Sequence, residues 1–122
     1  MVQSKNVLVI GVDPRTIPGI DADAVEALLA VGQARFKAQG IAADICHIRI
    51  DETAERVITE YLDKKPYACV VVGGGIRKPD PLLEFFERVI NLIRRHAPGA
   101  AIAFNTSPDN SVEAAMRWLD KA

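Results

Sequence analysis

Gly73-Gly74-Gly75-Ile76-Arg77-Lys78 sets three glycines directly before two cations. Glycines allow positive φ and close backbone approach to a ligand, and a helix start beyond them presents unpaired N–H groups suited to an anion. Arg77 can fork onto a phosphate or carboxylate, with Lys78 as a second charge. The same glycines also serve as a plain strand-to-helix turn. Asp13 closes another apolar run, where a carboxylate can bind a cation, act as a base, cap the turn at Arg15 and Thr16, or pair with Arg77. Asn105, Thr106 and Ser107 add an amide and two hydroxyls, which helix capping explains as readily as ligand contact does.

The candidate ligand-binding set is therefore Asp13, Arg15, Thr16, Gly73, Gly74, Gly75, Arg77, Lys78, Asn105, Thr106 and Ser107. No catalytic residue, cofactor or metal follows from these side chains. Cys46 and Cys69 are too few and too far apart for a disulfide framework or a zinc cluster, and read as buried reduced thiols. Cys46 and His47 are adjacent, so in a strand they point to opposite faces and cannot act as a nucleophile and its base without help from elsewhere. His96 falls near a helix C-terminus, which favours its cation, and Trp118 reads as a packing or partner residue.

The elements that must position these residues alternate regularly. Val7-Leu8-Val9-Ile10-Gly11-Val12 and Tyr67-Ala68-Cys69-Val70-Val71-Val72 are continuous apolar runs, as expected of parallel strands buried on both faces. The run from Ala43 to Ile50 admits Asp44, His47 and Arg49 and suits an edge strand. Ala100-Ala101-Ile102-Ala103-Phe104 supplies a fourth strand. Helical spacing is expected from Asp21 or Asp23 to Gly40, with Asp23 and Glu26 resembling a capping box, and again after Asp51-Glu52-Thr53. A third helix is expected over 81–96, with Asp80 as N-cap and Pro81 at N1, and a last one after Ser107 and Pro108. Four βα units give a three-layer α/β domain with a four-stranded parallel sheet in the order 2-1-3-4, a flavodoxin-like, Rossmann-like winding without a fifth strand. In such a sheet ligands bind at the carboxyl ends of the strands, near the point where strand order reverses.

The 122 residues suit one domain spanning 1–122, and 49% hydrophobic with 25% charged residues excludes wholesale disorder. A net charge of -1 argues against non-specific nucleic-acid binding. Residues 1–6 lack the h-region and cleavage site of a signal peptide, and no run is long enough to span a bilayer, so a cytoplasmic location is expected.

Gly11-Val12-Asp13-Pro14, the Gly-Gly-Gly-Ile-Arg turn and Phe104-Asn105-Thr106-Ser107-Pro108-Asp109 together resemble uncharacterised bacterial small single-domain flavodoxin-like α/β proteins. The resemblance spans the chain and implies a fold, without an activity. Better understood relatives depart at specific positions. A response-regulator receiver carries its phosphoacceptor aspartate where Gly73 stands, and a flavodoxin has a hydroxyl-rich first loop where this chain has Thr16 alone. Neither a cobalamin-domain nor a Cys-x5-Arg phosphatase pattern is present, and the glycines complete no dinucleotide fingerprint.

Two functions are compatible with these features. One is binding of a small anion, a phosphate or carboxylate metabolite, at the carboxyl edge of the sheet. The other is a non-catalytic homodimeric assembly or regulatory domain, associating through helix 81–96, whose apolar arc is wider than one sheet face requires, and through the open edge strand 100–104.

Overall fold

A computed structural model describes residues 6–119. The elements run β1 (Asn6–Val12), α1 (Ala22–Ala38), β2 (Ala42–Ile48), α2 (Ala54–Leu62), β3 (Cys69–Val72), α3 (Gly74–Arg77), α4 (Leu83–His96), β4 (Ala101–Phe104) and α5 (Ser111–Leu119). All strand pairs are parallel, in the order β2-β1-β3-β4. The two most uniformly apolar strands lie at the centre and the charged one at the edge, as their compositions require. The winding is compatible with a flavodoxin-like fold. The N-terminal five residues, part of the signal-peptide reading, lie outside the described residues.

Alternation along the strands divides the core in two. Leu8, Ile10, Val70 and Val72 face α2 and α4, packing with Ile58, Leu62, Val89 and Ile93. Val7, Val9, Val71 and Ala103 face α1 and α5, packing with Phe36, Val112, Ala114 and Ala115. The wide arc of α4 is partly absorbed inside the chain, because Phe85, Phe86, Ile90 and Leu92 pack half-buried against the first cluster. No helix among the described residues is long and apolar enough to cross a membrane.

Of the two caps expected for the first helix the structure uses Asp21, and two later helix starts differ from expectation. Asp21 caps α1 by accepting from the Ala24 N–H at 3.1 Å, which leaves Asp23 and Glu26 free of capping and available to pair with Arg15. Asp80–Leu82 forms a single 3₁₀ turn, and the α-helix begins only at Leu83. The last helix begins at Ser111 instead of Pro108, because Asn110 folds back and its Oδ1 accepts from the Thr106 and Ser107 N–H groups.

Candidate functional site

The loop after β3 takes a different form from a positive-φ turn. Among the described residues only Gly19 and Gly40 have positive φ. Gly73 is extended (φ -73°, ψ 156°), and residues 74–77 close one short helix. Close backbone approach is what favours glycine at position 73 instead. A Cβ there would lie 3.3 Å from the Ile10 carbonyl oxygen, the group that accepts the Gly73 N–H at 2.8 Å. At Gly74 a Cβ would meet Lys78, whose stem folds back across this position at 3.2 Å. Lys78 Nζ thereby reaches within 3.4 Å of the Thr106 carbonyl.

Asn105 joins the loops. Only 6% exposed, it accepts from the Gly74 N–H through Oδ1 at 3.1 Å and donates through Nδ2 to Ser111 Oγ at 2.9 Å. Its backbone carbonyl accepts from Arg77 Nη2 at 2.8 Å. One side chain thus ties the end of β4 to the starts of α3 and α5. The Arg77 guanidinium also lies over the Phe104 ring, 5.6 Å from its centroid, and its buried Nε has no hydrogen-bond partner among the described residues.

These loops and the first two turns of α1 enclose an open cleft of about 410 Å³ at the carboxyl ends of the strands. That volume lies within the usual range for small-molecule sites. Gly11 on β1 and His47 on β2, paired in register, lie along it. Ile17, Ile20, Val25, Leu29 and Pro108 supply apolar walls, the β1 end and Pro14 lie beneath, and Gly73, Gly74, Gly75, Lys78, Asn105, Thr106 and Ser107 also line it. Lys78 is the one lysine or arginine among these lining residues, and no aspartate or glutamate is among them.

Seven of the eleven residues singled out by sequence therefore line one cleft; Asp13, Arg15, Thr16 and Arg77 stand outside that lining. Asp13 caps the following turn, accepting from the Arg15 N–H at 3.0 Å, while its carbonyl accepts from Thr16 Oγ1 at 2.7 Å. Arg15 pairs with Asp23 at 2.9 Å and Glu26 at 2.8 Å, and the hydrogen bonds it donates to those carboxylates, Glu26 foremost, raise its already high pKa. The Thr106 hydroxyl accepts from Asn110 Nδ2, which leaves its own proton available, whereas Ser107 Oγ donates to Asp109.

The apolar walls were hidden in the sequence, since Val25 and Leu29 read as ordinary core positions of a helix. Gly11 carried the usable signal: glycine inside an apolar strand marks a place where something approaches the backbone closely. Both thiols are fully buried, and burial pushes Cys46 up to about 12 and Cys69 up to about 11, so neither offers a thiolate near neutral pH.

The chain matches no family model and no curated protein.

Proposed function

We propose that this protein binds a small anion, a phosphate or carboxylate metabolite, at the carboxyl edge of its sheet. The observation that carries the reading is the charge pattern of the cleft: one ammonium group, from Lys78, and no carboxylate among the lining residues. The Thr106 hydroxyl and the loop held by Asn105 provide a polar rim beside that ammonium. Lys78 is exposed and bonds only weakly to the chain, so its charge is free to meet a ligand without dismantling the fold. A cytoplasmic location and kinship with the bacterial proteins that the motifs resemble belong to the same proposal. The test is ligand-dependent thermal stability in wild type and in Lys78→Ala, with acetate and inorganic phosphate as first probes.

A second reading, self-association through α4 and β4, is favoured by the exposure of Leu83 (60%) and Phe104 (36%). Phe104 belongs to the edge strand, and its ring meets Phe86 of α4 with centroids 5.8 Å apart. The readings concern different surfaces and can hold together.

A further inference from the structure

Resting on the anion-binding reading, we infer that the ligand is an amphipathic carboxylate whose apolar body lies over Gly11, between β1 and the start of α1, with its charged end at Lys78. Three observations converge on this class. The cleft is far larger than a bare phosphate or acetate needs, at about 410 Å³. Its polarity is uneven: Ile17, Ile20, Val25 and Leu29 form apolar walls, His47 is the one polar side chain beside Gly11, and the ammonium and the hydroxyls come from the loops after β3 and β4. At Gly11 an added Cβ would meet no atom within 4 Å, and the backbone there has no positive φ to require glycine.

That combination is informative because glycine weakens a strand interior and leaves no side chain to pack. A β-carbon fits at Gly11 without contact, and a larger side chain there would take up space on the floor of the cleft. Glycine keeps the floor open. An inorganic anion held at Lys78 alone gains nothing from this space, whereas an aliphatic chain removes its own surface and the cleft walls from water together. Gly11 is thus the residue that sets how deep a ligand body can reach, and Lys78 the residue that sets its charge.

The experiment is calorimetric titration of wild type, Gly11→Val and Lys78→Ala with acetate, butanoate and hexanoate at matched ionic strength. Wild type is expected to tighten by about fourfold for each added methylene, the usual gain for burying one. Gly11→Val loses the dependence on chain length, while Lys78→Ala weakens every member of the series. Gly11→Ala, whose methyl group enters open space, gives a partial loss and serves as the check should valine perturb the strand. Acetate binding that depends on Lys78 but does not tighten with chain length overturns the amphipathic class and leaves the anion reading standing. A chain-length gain that persists in both Gly11 variants also overturns it, by putting the body elsewhere. Binding of none of the three carboxylates to wild type overturns the amphipathic carboxylate, and inorganic phosphate titrated alongside decides the anion reading: Lys78-dependent phosphate binding keeps it, and no phosphate binding overturns it as well.

Discussion

Asn105 shows how much of the site's geometry depends on single polar atoms. Its amide is almost wholly buried and serves two partners, the half-buried Gly74 N–H and the buried Ser111 Oγ, and its removal would strand the latter away from solvent. Leaving buried polar groups unpaired costs more than a hydrogen bond contributes. Asn105→Ala is therefore expected to lower unfolding stability by about 1–3 kcal/mol, read from the midpoint of urea denaturation. An unchanged midpoint would mean that the loops are held by something else. The sequence offered Asn105 as a ligand contact, and its type and position justified that reading. What it could not show was that the amide faces two other chain segments, since Gly74 lies 31 residues away. Arg77 is a parallel case: a cation after glycines suggests an anion clamp, yet its guanidinium holds the Asn105 carbonyl and covers Phe104. Local sequence specifies a residue's chemistry, and long-range packing decides where that chemistry is used.

Among the elements, α1 determines whether the cleft exists. Its C-terminal half is fixed to the body of the protein, with Phe36 buried, Arg35 Nη1 donating to the Asp109 carbonyl at 2.9 Å, and Arg35 also paired with Glu113 of α5. Its first turns carry Val25 and Leu29, which line the cleft. The junction between these halves is Gly32, where a Cβ would lie 2.9 Å from the Pro108 carbonyl oxygen. Gly32→Ala gains helix propensity of about 1 kcal/mol but forces a helix and a backbone loop apart, at a cost of about 1–3 kcal/mol. We expect net destabilisation and a displaced 106–108 loop, seen as a lower thermal midpoint; a higher midpoint would show that the loop yields freely. The helical pattern of α1 and its Gly40 terminus were legible, Gly40 having φ +70°. The starts of α4 and α5 were not, because Asp80-Pro81 and Ser107-Pro108 satisfy capping rules one turn before the α-helices begin. Proline and a short polar residue initiate a tight turn as readily as a helix.

For the whole molecule, strand order was the most legible property. Uninterrupted apolar strands belong at the centre of a parallel sheet and charged ones at its margin, and right-handed crossovers then leave one winding. The described strands have that order. The surfaces are less determined by such rules. On the open edge, Arg117 Nη2 donates to the Phe104 carbonyl at 2.9 Å and so occupies one acceptor that another strand would use. The exposed Leu83 remains available on α4. If α4 mediates self-association, sedimentation velocity at micromolar concentration will give a dimer that Leu83→Glu converts to monomer; a wild-type monomer across that range removes this reading. The central claim concerns the cleft instead, and thermal unfolding of wild type and Lys78→Ala in acetate, hexanoate or inorganic phosphate at matched ionic strength tests it most directly. At a concentration near one hundred times Kd, a bound anion stabilises wild type by about 2.7 kcal/mol, and the resulting rise in Tm disappears in Lys78→Ala. No rise with any of these anions, or an equal rise in both proteins, would contradict it.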